Sequence, residues 1–187
     1  VGQTDEQREV GDACEAAIVA HGGLLGLVHN EAVGDHASFA GGDASSGMDA
    51  NQESPYNPFG MDEDCQNCEA LCDTRSQVVH GYGDVGAEFV VVGEEPDAGV
   101  DESGVPFVGG ADGEGLMEIL RGFDFTDSPV DSIEPDLENV FLTYVTRCFH
   151  PDRAATDEEV RNCEPYRTSE LRMINPEIIV AVGQGVL

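Results

Sequence analysis

Four cysteines constrain this chain more than any other feature. Cys65 and Cys68, with two residues between them, stand ahead of the first apolar strand pattern, and Cys148 and Cys163 follow far downstream with fourteen residues between them. Drawn to one metal site, a close pair and a distant pair would pin remote segments together. Soft thiolates favour an iron-sulfur cluster or zinc over harder cations. Disulfides and buried thiols are the other uses of cysteine, and Cys14 and Cys72 are left over. Cys72 follows Cys68 closely enough to replace one of the four. The start has no basic segment leading into an apolar one, and no apolar run reaches membrane-spanning length, so the expected setting is a reducing cytoplasm with no membrane partner.

Charge narrows the setting further. The chain has 8 basic and 38 acidic side chains, a formal net charge of −30, and every basic residue is arginine. Such a surface repels itself in dilute buffer, whereas at about 1 M salt the Debye length falls to roughly 3 Å and distant repulsion disappears. A salt-loving cytoplasm is the expectation.

Residues 1–60 read as a low-complexity or poorly ordered extension, broken by Gly22 and Gly23, Gly41 and Gly42, and Pro55 and Pro58, with at most one helix over 16–28. Met48 reads as a natural start, with the residues before it an addition. Residues 61–187 read as one domain that stops short at its C-terminal side. Within it, Glu88 to Val92, Asn139 to Val145 and Glu177 to Val182 are branched apolar runs of strand length, as buried parallel strands require. Leu116, Ile119 and Leu120 suggest a helix closed by Gly122, and Thr156 with Glu159 forms a capping box for another. Pro165 should kink or restart that second helix near Cys163. The alternation predicts an α/β fold, a three-layer α/β/α sandwich around a mainly parallel sheet. Ligand chemistry in such folds collects at the carboxyl ends of strands.

Those ends carry candidate residues. The first strand runs into Gly93, Glu94, Glu95, Pro96 and Asp97, then Asp101 and the loop from Gly104 to Gly110 that holds Phe107. The second ends in the run from Thr143 through Tyr144 to Arg147, directly before Cys148. Taken bare, the acids are a solvated face and Phe107 is a core plug. Arg147, Arg153, Arg161, Arg167 and Arg172 gather around the distal cysteines and could meet phosphate through the guanidinium fork, or simply pair with neighbouring acids.

Together, the Val92 to Pro96 turn, Asp101, the Gly104 to Gly109 loop, the strand into Cys148, and Glu159, Cys163, Pro165 and Tyr166 resemble the iron-sulfur, family 4-like uracil-DNA glycosylases, in a haloarchaeal type. The resemblance runs from Cys65 to the end of the chain. It implies a four-iron, four-sulfur cluster on Cys65, Cys68, Cys148 and Cys163, zinc being the alternative. It implies hydrolysis of the N-glycosidic bond of a flipped uracil or related deaminated base in DNA. Glu94 and Asp101 would be catalytic, and Glu95, Pro96, Phe107 and Tyr144 would bind the base, with Phe107 stacking on it. DNA is the implied partner, and no protein partner is expected.

Three departures bear on that function. Glu95 and Asp97 stand where the family usually has a small residue and glycine. Tyr144 stands where an asparagine usually reads the uracil edge, and tyrosine cannot present a paired amide donor and acceptor. The family's histidine-bearing loop after its last strand has no counterpart before Leu187. The rival readings are a non-catalytic iron-sulfur relative whose base pocket Tyr144 alters, and a zinc-stapled α/β domain of unrelated function.

Overall fold

The computed structural model describes residues 54–186; residues 1–53 of the extension expected over 1–60, with the expected helix over 16–28, Met48 and Cys14, lie outside them. Residues ahead of position 61 take part in the core, since Phe59 is buried and Tyr56 bridges to Tyr82.

The elements follow in the order α1 (Glu69–Cys72), β1 (Tyr82–Gly83), β2 (Phe89–Gly93), α2 (Ala98–Ser103), α3 (Gly113–Gly122), β3 (Val140–Tyr144), α4 (Asp157–Ile174), β4 (Ile178–Val182) and a 3₁₀ turn at Gln184–Val186. They build one sheet in the order β1-β3-β2-β4. Strands β3 and β4 flank β2 in parallel, and the short β1 runs antiparallel on β3. All three expected strands are present within a residue of their apolar runs.

Side chains alternate across the sheet, so successive valines of β2 feed two cores. Val91, Val140 and Leu142 join Val100 of α2 and Met117 and Leu120 of α3 on one face. Val90, Val92 and Phe141 join Ile174 of α4 on the other, with Val160 and Leu171 packed alongside. The molecule is therefore the expected three-layer α/β/α sandwich. The connection from β2 passes over one face to β3, and the connection from β3 returns over the opposite face to β4. That reversal opens a crevice at the carboxyl ends of β2 and β3, where Gly93 lies opposite Tyr144.

Two helix expectations need correction. Ile119 is 57% exposed, whereas Met117 and Leu120 are buried; the buried stripe runs through that i,i+3 pair, and Ile119, two residues from Met117, falls off it. Pro165 does not restart its helix, because α4 continues through it as one 18-residue element. Both halves are anchored: the Thr156 and Glu159 capping box closes the start, Glu170 is held in the core, and Ser169 Oγ donates to the Pro165 carbonyl at 2.7 Å. Those contacts outweigh the one backbone donor that proline removes.

Candidate active site and metal centre

At the carboxyl end of β2 the ladder outlasts the strand. Val145 N–H donates to the Gly93 carbonyl at 2.8 Å and Thr146 N–H to the Glu94 carbonyl at 3.1 Å, which fixes the turn against β3. The acids of this turn diverge. Glu94 is exposed, and its Oε1 accepts from Gly185 N–H beyond β4. Glu95 Oε2 accepts from Ala155 N–H at 2.6 Å, ahead of α4. Pro96 is buried. Asp97 N-caps α2 through Val100 N–H at 3.0 Å, and its second oxygen takes Ala111 N–H at 2.8 Å. That dual cap explains an acid in place of the family's glycine. Asp101, on α2, is 4% exposed; its Oδ2 accepts from Ser76 N–H at 2.8 Å, and Oδ1 is buried without a hydrogen-bond partner.

The loop bearing Phe107 is clamped between α2 and α3. A Cβ on Gly99 would lie 1.9 Å from the Gly109 carbonyl oxygen, and one on Gly113 would lie 2.0 Å from that of Phe107, so glycine is required at both close approaches. Phe107 itself takes a φ of 66°, a left-handed conformation rare for a bulky residue. Its ring is held against Tyr144, with centroids 4.8 Å apart and planes inclined by 30°. Phe107 N–H donates to the Tyr144 hydroxyl oxygen at 3.0 Å. Burial, opposed by that bond, raises the tyrosine pKa well above its ordinary value. A hollow of about 440 Å³ lined by Glu118, Arg121, Thr126, Asp127 and Val130 shares no residue with this rim.

Cys148 is buried with Leu71 and Val78, and Cys65 and Cys68 pack against that cluster. All five described cysteines are free thiols. Each of the four candidate ligands meets a donor. Arg75 Nη1 donates to Cys148 Sγ at 3.1 Å, Asn162 Nδ2 to Cys68 Sγ at 3.5 Å, and Tyr166 O–H to Cys65 Sγ at 3.5 Å; the Arg147 backbone hydrogen-bonds Cys163. Arg75 Nη2 also donates to the Cys65 carbonyl, tying the proximal segment to the distal one. Cys72 is turned aside, its thiol donating to the Cys65 carbonyl at 3.6 Å.

Burial pushes the Cys148 thiol up to about 11, and burial likewise raises Cys163 and Cys68, with the neighbouring sulfurs adding to each shift. Four thiols that each meet a hydrogen-bond donor are a soft donor set that either an iron-sulfur group or zinc would take as thiolates. Among the described residues, no three Cys, His, Asp or Glu side chains converge on a position for one ion.

The expected arginine patch is corrected in part. Arg147 is 2% exposed and lies inside the fold: Nη1 donates to His80 Nδ1 at 3.0 Å, and Nη2 stands 2.7 Å from Glu170 Oε2, a charge contact set off the ideal N–H direction. Its guanidinium also lies 5.4 Å from the Tyr166 ring centroid. Arg153 is paired bidentately with Glu159 at 2.7 and 2.8 Å. Of the five, Arg161 and Arg172 are exposed. Sequence reasoning missed His80, Glu170 and Arg75, whose partners stand 23 to 73 residues away.

Residues 80–187, more than half of the chain, match the profile of the Uracil DNA glycosylase superfamily. The chain belongs to that superfamily. It is 38% identical over 121 residues to a type-4 uracil-DNA glycosylase of Archaeoglobus fulgidus, covering 64% of this chain and 55% of that protein. With the type-4 enzyme of Thermotoga maritima it shares 36% identity over 114 residues, 60% of this chain and 54% of the relative. A type-5 uracil-DNA glycosylase of Pyrobaculum aerophilum is 29% identical over 139 residues, covering 64% and 62%. The chain thus spans about half the length of the type-4 relatives. The Cys65 and Cys68 pair lies ahead of the profile match.

Proposed function

We propose that this member of the uracil-DNA glycosylase superfamily is a DNA-repair enzyme that flips uracil, or a related deaminated base, out of DNA and hydrolyses its N-glycosidic bond. The observation that carries this reading is the meeting of the Glu94 to Pro96 turn and the clamped Phe107 ring at the carboxyl ends of β2 and β3. Phe107 provides the stacking face, Glu95 and Pro96 line the slot, and Tyr144 bounds it on the β3 side. Glu94, exposed at the strand end, takes a proton from the water that adds to the sugar C1′. As that bond forms, the C1′–N bond breaks and its electron pair leaves with the base. Asp101 supports the rim, Oδ2 holding the Ser76 backbone and Oδ1 free to accept a donor.

Cys65, Cys68, Cys148 and Cys163 would hold a four-iron, four-sulfur cluster, which supplies a rigid staple and no redox step. A haloarchaeal-type cytoplasm suits a chain with a formal charge of −30 and no lysine. The non-catalytic iron-sulfur relative is the second reading, favoured by the Tyr144 ring lying against Phe107 where a base would stack.

Uracil excision from a labelled oligonucleotide, using anaerobically purified, iron-loaded full-length protein in molar salt, separates the two. Product supports the glycosylase. DNA binding without product, with iron present, supports the non-catalytic relative.

A further inference from the structure

The face of Phe107 that a base would use is already taken. Tyr144 lies on it at 4.8 Å, within the range of a favourable aromatic pair, and the rings are only 4% and 6% exposed. The phenol imitates a bound base on a second count, since its oxygen takes the Phe107 N–H, a donor of the kind a base carbonyl would accept. Beneath both rings lies Gly93, where a Cβ would stand 2.5 Å from Tyr144 Cε1 and 2.9 Å from Phe107 Cζ. The backbone there is pared to the space that two stacked rings need. The strand pairing that sets Gly93 opposite Tyr144 fixes where the phenol emerges.

We propose that Tyr144 is the internal occupant of the Phe107 slot, so that the chain rests closed and a base enters only by exchanging with the phenol ring. This deepens the proposed function and rests on its assignment of Phe107 as the stacking ring. Exchange breaks one aromatic stack and one hydrogen bond, which together hold the open form to about one part in 10 to 100 and weaken apparent base binding by the same factor. Tyr144 is then the specificity-determining residue. Bases already unpaired, in mismatches or single strands, compete best, because their extrusion carries the least unstacking penalty.

The test uses iron-loaded full-length protein in molar salt and a duplex carrying 2-aminopurine beside uracil, whose fluorescence rises when the neighbouring base leaves the stack. Tyr144→Phe removes the hydroxyl and keeps the ring, while Tyr144→Ala removes both. The expected flipping constants rise about 10-fold and up to about 100-fold respectively, and the gain disappears when Phe107→Leu is added. If the alanine variant fails to fold, Tyr144→Phe carries the comparison. Flipping equal to wild type in the folded variants overturns the proposal, as does a gain that survives Phe107→Leu. Excision in the same samples keeps the two ideas apart. Increased flipping without product removes the glycosylase reading and leaves the exchange standing. Wild-type product formed at a rate that neither variant changes does the reverse.

Discussion

Glu170→Gln tests the buried charge network with one isosteric change. Arg147 and Glu170 side chains are each 2% exposed and approach to 2.7 Å, and Thr143 Oγ1 donates to the same Glu170 oxygen at 2.8 Å. Glutamine retains the shape and an acceptor for Thr143 but leaves the Arg147 charge buried beside His80. Two unit charges about 4 Å apart attract by about 4 kcal/mol at an effective dielectric of 20, and removing one partner of a buried pair typically costs about 3–5 kcal/mol. We expect a loss of about 3 kcal/mol, equivalent to roughly 6–12 °C in thermal midpoint for a chain of this size. Urea and thermal unfolding at 1, 2 and 3 M salt provide the assay. Salt screens the exposed acids but reaches a buried pair weakly, so the deficit should stay constant as overall stability climbs. A loss under about 1 kcal/mol, or one that shrinks steadily with salt, refutes the reasoning. Replacing both partners together with Met and Leu should cost less than Glu170→Gln alone.

Further consequences follow from neighbouring groups. Burial first, then the Arg147 charge, holds His80 neutral with its pKa lowered to about 4. Since the unfolded value is about 6.5, the stabilisation is complete above that pH, erodes as pH falls and reaches a loss of about 3 kcal/mol near pH 4; pH-dependent urea unfolding of His80→Gln should be flatter across that window. The Arg153 pairing holds Glu159 at about 2, so its contribution is present above about pH 4.5 and is lost on acidification towards 2. Thr156→Ala, which removes the reciprocal cap, should lower stability by about 1 kcal/mol in chemical denaturation at neutral pH. Arg75→Met deletes the donor to Cys148 and the tie to Cys65, and should speed iron release from the proposed cluster to a chelator about tenfold, as loss of a charge-assisted hydrogen bond predicts. An unchanged release rate would show that Arg75 does not secure the centre.

Local pattern made much of the fold legible. Phe89 to Val92 and Val140 to Leu142 carry the branched and aromatic residues that a doubly covered strand needs, and Thr156 and Glu159 contain their helix start within four residues. Pro165 and Ile119 misled because helix continuity and facing depend on anchors outside the local window. The acids were the least legible part of the site. Glu94, Glu95, Asp97 and Asp101 are alike in sequence, yet backbone donors from four different segments separate them.

Spacing and chemistry in the chain itself sufficed for the three main strands, the acidic composition and the family resemblance, because each depends on residue type and near neighbours. Tertiary structure alone decided that Arg147 is a core cation rather than a DNA contact, that Asp97 is a cap, and that Tyr144 occupies the face of Phe107. These depend on which side chains meet when the loop between α2 and α3 folds over β2 and β3, joining residues 37 apart, and when α4 packs on the opposite face, joining residues 23 apart. Sequence supplies the charge and the ring; packing selects the partner, because a buried polar or aromatic group is stable only where the fold presents its complement.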